Sequence, residues 1–180
     1  MNRKVILYIA SSLDGYIAKP NDDLSFLDIV QKEGEDYGYG TFIHSVDTVI
    51  IGRKTYDWVL TQVPVFPHAE KECYVITGTA RPAIGKTQFY TGPLKTLIQQ
   101  LKNKSGQHIF IDGGAALVNG LLQEKLIDEM VISVIPVLLG NGTKLFADGR
   151  PEQALSLVSS RQFEKGLVQL HYKAVAEQAQ

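Results

Sequence analysis

The sequence predicts an α/β domain built on a mixed, mostly parallel sheet flanked by helices, with an antiparallel C-terminal edge. Three observations carry this reading. Four short runs are continuously apolar and β-branched, as strands covered on both faces are. Segments with helical spacing lie between them. From Glu129 onward strand-like stretches follow one another with no helical pattern between them.

The first run, Val5–Ala10, leads into the loop "SSLDGYIA". Tyr39, Phe42, Ile43 and Val46 then recur at i, i+3, i+4 and i+7, which predicts a helix before the second run, Thr48–Ile51. That run ends in "GRKTYDWV", and the third, Cys73–Thr77, ends in "TGTAR". Leu94, Leu97, Ile98 and Leu101 repeat the helical spacing, with Pro93 suited to a first helical turn. The fourth run, His108–Ile111, passes through Asp112 and Gly113-Gly114 into a helix with Val118, Leu121 and Leu122 on its apolar stripe. Asn119, Gln123 and Glu124 fall on the opposite side. The stretches "EMVISVIPV", "ALSLVSS" and "GLVQLHYKAVA" read as antiparallel strands added to one edge, with Val168, Leu170 and Tyr172 on one face and Gln169, His171 and Lys173 on the other.

The bulk composition narrows the classes of function. With 180 residues the chain has the size of one domain, residues 1–180, and 44% hydrophobic with 21% charged residues is ordinary for a globular protein. A formal charge of −1 without a basic run gives no footprint for nucleic acid. Cys73 stands alone in an apolar run, which predicts a buried, inert thiol and a reducing compartment. The apolar run at the N-terminus is too short for a signal peptide, and Met130–Leu139 is too short to cross a bilayer, so the cytoplasm is expected and a membrane is not. The four histidines share no metal-ligand spacing, no metal is expected, and the pair Asp128-Glu129 points to opposite faces of a strand.

The loops at the ends of the four buried runs suggest a nucleotide site, because ligands of open α/β sheets bind beyond the carboxyl ends of the strands. In "GRKT", Gly52 permits a turn, Arg53 and Lys54 supply cationic donors, and Thr55 stands at the start of a helix. Arg81 would join them around a second phosphate, such as a 2′-phosphate. The same residues also read as solvated cations and a helix cap. The glycine pair Gly113-Gly114 is equally open: a turn, or a helix start whose free N–H groups bind phosphate. No Walker sequence is present and "GGAAL" is not GxGxxG, so the two common nucleotide folds are disfavoured.

Taken together, "SSLDGYIA", "VIIGRKTYDWV", "YVIT", "FIDGGAALVNGLL" and "LIDEMVISVIPVLLGNGTKLF" resemble the dihydrofolate reductase-like superfamily, in the branch that includes the C-terminal reductase domain of the bacterial riboflavin-biosynthesis deaminase/reductase. The resemblance runs from about residue 4 to residue 175 with the motifs in order. It implies binding of NADPH and hydride delivery to a pyrimidine-, pterin- or riboflavin-precursor-like substrate. Carried over, Gly52, Arg53, Lys54 and Thr55 would bind adenosine-side phosphates, Thr77 and Gly78 would sit by the adenine ribose, and Gly113, Gly114, Ala115 and Ala116 would hold the pyrophosphate. Ala10 and "SSLDG" would flank the nicotinamide, with Asp14 and Gly15 shaping the loop over the reaction centre. Asp36, in "EGEDYGYG", falls at the spacing of the substrate-binding acid of the folate reductases, and reads equally as an acid favoured at a helix N-terminus. The mobile-loop tryptophan of those enzymes is not evident, and no H-x-E…P-C-x-x-C deaminase signature is present. A nucleotide-binding protein of the same fold without reductase activity is the alternative. Relatives pair through their sheet edges, so a homodimer is expected.

Overall fold

Period-two alternation along the central strands gives the sheet two apolar faces, and the helices divide between them. The computed structural model describes residues 2–175. In chain order the elements are β1 (Val5–Ser12), β2 (Tyr16–Ala18), α1 (Tyr39–His44), β3 (Val46–Gly52), α2 (Arg53–Gln62), β4 (Glu72–Ile76), β5 (Thr87–Tyr90), α3 (Leu94–Lys102), β6 (His108–Gly113), α4 (Ala115–Gln123), β7 (Glu129–Ile135), β8 (Thr143–Lys144), β9 (Leu155–Gln162) and β10 (Val168–Ala174). The main sheet has eight strands in the order β5-β4-β3-β6-β1-β7-β10-β9, and β2 pairs with β8 in a small second sheet.

The six strands from β5 to β7 are parallel, and β10 and then β9 add antiparallel pairings at one edge. Ile50, Tyr74, Ile109 and Ile111 pack against α3 and α4 on one face, with Leu97, Leu101, Val118 and Leu121 as the helical side of that core. Their neighbours in sequence, Val49, Ile51, Cys73, Val75 and Phe110, pack with Tyr56 of α2 and Phe42 of α1 on the other face. Because Leu121 is 0% exposed, Leu121→Ala would cost about 3 kcal/mol. A smaller third cluster, Phe26, Val30, Ile135 and Leu167, joins the 3-10 segment Ser25–Val30 to the β7 end of the sheet.

Several expectations need correction. Val46 does not extend the helix of Tyr39 and Phe42; α1 stops at His44 and Val46 opens β3, since Ser45 closes the helix and the Val46 side chain fills the α1/α2 core. Pro93 is the residue before α3 rather than part of its first turn. The stretch from Glu129 is not antiparallel: β7 runs parallel to β1, because α4 supplies the crossover that a parallel neighbour requires. Asn119, half-buried, donates its amide to Leu145 O and accepts from Ala147 N at Oδ1, pinning the following loop to α4. Cys73 is fully buried, and burial pushes its thiol up to about 12.

The outer hairpin is two-faced. Val168, Leu170 and Tyr172 of β10 stand in register with Gln162, Ser160 and Leu157 of β9, forming an uncharged face on the α3/α4 side. Leu157 is 54% exposed and Leu155 40%, so part of this apolar face lies open.

Candidate functional site

The chain leaves β3 in one direction and β6 in the other. From β3, α2 leads outward to β4; from β6, α4 leads past β1 to β7. The two helices therefore begin on opposite faces of adjacent strands, which opens a crevice at the carboxyl ends of β3 and β6. Both starts are made by glycine. Gly52 precedes α2 and Gly114 precedes α4, and neither helix has a side-chain cap, so first-turn N–H groups remain available to an anion.

The loops approach to van der Waals contact at Gly52 and more closely at Gly114. A Cβ at Gly52 would lie 3.5 Å from both Gly113 O and Gly114 N, and one at Gly114 would lie 2.8 Å from Thr55 Oγ1. Gly52, Thr55, Gly113 and Gly114 are thus brought together, with Ala115 and Ala116 as the first residues of α4. Arg53 donates to Asp57 Oδ2 at 2.8 Å, and Arg81 reaches Asp57 Oδ1 at 3.1 Å while stacking over the Phe89 ring. The two arginines meet through one carboxylate, which holds a pair of cations beside the start of α2. Lys54 is exposed next to them. Thr77 lies just beyond β4, where its hydroxyl accepts from Thr79 N, and Gly78 follows with open space around it. His68, nearly buried between Phe66 and Phe110, lies 3.4 Å from Asp112, the residue before the glycine pair.

A cleft of about 650 Å³ opens on the α1/α2 face, on the far side of β1 from this crevice. Its lining includes Tyr8 and Ala10 of β1, Ser133 and Ile135 of β7, Leu27 and Val30 of the 3-10 segment, Asp36, Tyr37 and Leu167. β1 joins the two regions, since a Cβ at Gly113 would stand 3.8 Å from Ile9 Cδ1, one residue from Ala10. The cleft floor is polar and buried. The Gln169 amide donates to the Tyr8 hydroxyl at 3.0 Å, to Tyr37 O at 3.0 Å and to Ser133 Oγ at 3.1 Å, and the Tyr8 hydroxyl donates to Tyr37 O at 2.8 Å. Burial is the main cause that raises the Tyr8 pKa, which keeps the phenol neutral.

Asp36 lines the cleft wall with both oxygens committed. Oδ1 accepts from Gly38 N at 2.8 Å and Oδ2 from Gly40 N at 2.9 Å, and these backbone N–H groups hold the carboxylate below its usual range. Gly40 is required for the second contact, because a Cβ there would meet Oδ2 at 2.7 Å. Asp14 lies elsewhere. It accepts from the Ser12 hydroxyl and from Leu139 N and Gly140 N, which ties the turn before Gly15 to the loop after β7 and lowers its pKa to about 2. An acid so committed holds a loop rather than a proton. Among the described residues no group of three or more His, Cys, Asp or Glu could hold a metal ion, and no helix is long and apolar enough to cross a membrane.

Tyr8, Ser133, Gln169 and Asp57 are site residues that sequence reasoning missed. Two left a signal: Tyr8 is two residues before Ala10 and so shares its face, and Asp57 lies one helical turn after Arg53. Gln169 and Ser133 had none, because their meeting depends on the register between β10 and β7.

The comparisons with known proteins agree with this geometry. The family model described as the RibD C-terminal domain matches residues 3–169. YwjB of Bacillus subtilis (strain 168), an uncharacterized protein, is 45% identical over 173 residues, which is 96% of this chain and 98% of YwjB. A crystal structure from Shewanella sp. PV-4 that carries a riboflavin-biosynthesis name has a TM-score of 0.87 at 31% identity, covering 96% of this chain and 99% of that one. A dihydrofolate reductase from Enterococcus faecalis, complexed with NADP(H), has a TM-score of 0.66 at 14% identity, with 97% and 98% covered, and shows the shared fold. The order of the parallel strands, the paired glycine helix starts and these matches lead to one assignment: the chain belongs to the family of the RibD C-terminal domain.

Proposed function

We propose that this protein is an NADPH-dependent reductase of a small pyrimidine-, pterin- or riboflavin-precursor-like heterocycle. The observation that carries the reading is the junction at the end of β1, where a glycine-built anion crevice and a buried polar cleft adjoin across Ile9 and Ala10. The residues present fit a dinucleotide: Gly114 leaves no space for a side chain beside Thr55, and both helix starts are uncapped. Gly113 to Ala116 would hold the pyrophosphate, Thr55 and Lys54 would stand beside it, and Thr77 and Gly78 would border the adenosine. Arg53 and Arg81 would take the 2′-phosphate in place of Asp57. When bound, NADPH supplies the hydride.

The chain's own part in catalysis is placement and charge. Ala10, the smallest side chain on the cleft face of β1, leaves room for a flat ring beside it. Asp36, ionised at neutral pH, favours a protonated ring nitrogen and so prepares the acceptor. Tyr8 and Ser133, held from beneath by Gln169, present a neutral polar floor. A second reading, a cofactor-binding protein without turnover, is favoured by the commitment of both Asp36 oxygens to backbone N–H groups. Calorimetric titration with NADPH and NADH tests the cofactor half. Preferential binding of NADPH supports the proposal, and binding of neither overturns it; saturable NADPH with no consumption on any reducible heterocycle selects the second reading.

Two copies are proposed to pair through the uncharged face of β9 and β10, where Leu155 and Leu157 are open to solvent. Light scattering after gel filtration should give twice the chain mass, and Leu157→Lys should give one. A monomer for the unaltered protein overturns the pairing.

A further inference from the structure

We infer that Gln169 is a positioning residue for Asp36, acting beneath the cleft through the carbonyl of Tyr37; the inference rests on the reading of Asp36 as the acid that faces the substrate. Tyr37 is a bulky residue with φ of +57°, followed by Gly38 at +85°. Only glycine adopts that region freely, so the Tyr37 backbone keeps it because its surroundings impose it. The consequence is local. The chain doubles back on Asp36, and Gly38 N and Gly40 N both reach its carboxylate. Three contacts hold Tyr37. Its hydroxyl donates to Val30 O, its ring meets Phe163 edge-on with centroids 5.1 Å apart, and its carbonyl accepts from the Tyr8 hydroxyl at 2.8 Å and the Gln169 amide at 3.0 Å. The first two anchor the side chain. The third anchors the peptide unit shared with Gly38, a rigid plane that carries the Tyr37 oxygen on one edge and the Gly38 N–H on the other. Donors that fix the oxygen therefore aim the N–H at Asp36 Oδ1.

Gln169 is the donor that the sheet holds in place. It is buried, stands opposite Ser133 of β7, and sets its amide between Ser133 Oγ at 3.1 Å and the Tyr8 hydroxyl at 3.0 Å. A carbonyl can only accept, so the amide nitrogen and not its oxygen must face Tyr37. Since β10 is paired on both sides, two ladders of backbone hydrogen bonds fix where this donor stands. The charges around the unit act on other partners. Lys32 pairs with Glu164 at 2.5 Å, Lys165 donates to Gln31 O at 2.6 Å, and Glu35 accepts from Tyr37 N at 2.7 Å. Arg161 stands opposite Gln169 on β9, and Glu33 lines the cleft. The hydrogen bonds to Asp36 come from the two backbone N–H groups, and aiming them falls to Tyr37 and its two donors.

The test reads the backbone amide signals of Gly38 and Gly40 in the ¹⁵N-labelled full chain, with Asp36→Asn as the reference in which the charged acceptor is gone. Gln169→Met keeps the length of the side chain without its N–H groups, and should move both signals about half of the way or more towards that reference. Tyr8→Phe removes the other donor to the same carbonyl and should move them in the same direction by less; it carries the decision should Gln169→Met fail to fold. A second readout is the binding of 2,4-diaminopyrimidine, whose protonated ring suits a carboxylate. Gln169→Met should weaken it about fivefold or more when Asp36 is present and leave it unchanged in the Asp36→Asn background, because the two residues act as one unit. Amide signals that stay in place in both variants overturn the inference while leaving the cleft as the substrate site. Equal weakening of the probe in both backgrounds shows Gln169 acting apart from Asp36 and also overturns it. No binding of the probe to the unaltered protein overturns the reading of Asp36 and the inference with it.

Discussion

On one side of Ala10 the chain leaves helix starts open and sets arginines beside them; on the other it closes a helix start with its own aspartate and surrounds the opening with carboxylates. The difference shows how one physical device serves opposite ends. A bare helix start invites an anion from outside, whereas the N–H groups of Gly38 and Gly40 are spent on Asp36 and fix its negative charge in place. On the proposed reading the crevice takes the dinucleotide and the cleft takes the acceptor.

The largest effect should come from breaking the crevice alone. Gly114→Val places side-chain atoms against Thr55 Oγ1 and across the start of α4, and should weaken NADPH by about a hundredfold or more, near 2.7 kcal/mol. The melting temperature should fall by only a few degrees, and calorimetry beside thermal unfolding separates the two. Asp36→Asn should strike the other half. Turnover on a reducible heterocycle should fall by about a hundredfold with NADPH affinity unchanged; an unaltered rate removes this carboxylate from the chemistry.

Arg53→Ala sharpens the comparison within the crevice. Losing one charged donor should weaken NADPH by about tenfold, in line with roughly 1.5 kcal/mol for a charged hydrogen bond, and leave NADH nearly unchanged. Equal weakening of both would place Arg53 away from the 2′-phosphate. The smallest effect belongs to Asp14, which touches neither ligand region directly. Its pKa, near 2 in the folded protein, lies below the ordinary carboxylate value, so the stability it contributes is present above about pH 4 and is lost as pH falls towards 2. Asp14→Asn should therefore lower the melting temperature slightly at neutral pH and flatten its decline in acid, as thermal scans across that range will show.

The two halves also differ in how much of them the sequence reveals. The crevice is local: a buried strand, a glycine turn and a helix follow one another in "IIGRKT" and "FIDGGAAL", and each unit can be read within ten or so residues. Even there, Asp57 between the two arginines was overlooked although its spacing from Arg53 was plain. The cleft is assembled from segments far apart, with Gln169 meeting Tyr8 across 161 positions. Nothing near Gln169 distinguishes it from His171 or Lys173 on the same side of β10; only the register with Ser133 buries it. The direction of β7 was misread for a related reason. An apolar strand looks alike whichever way it runs, and the crossover through α4 decides.

β10 supplies Gln169 and Leu167 stands just before it, so the polar layer beneath the cleft is complete only when β10 pairs with β7. Both glycine helix starts precede β10 by more than fifty residues, and β7, the last of the parallel strands, ends at Ile135. The glycine-built crevice therefore has all its parts without β10, and the cleft does not. On the proposed reading, a dinucleotide seated in the crevice would stabilise the parallel sheet by mass action independently of whether the outer strands are docked.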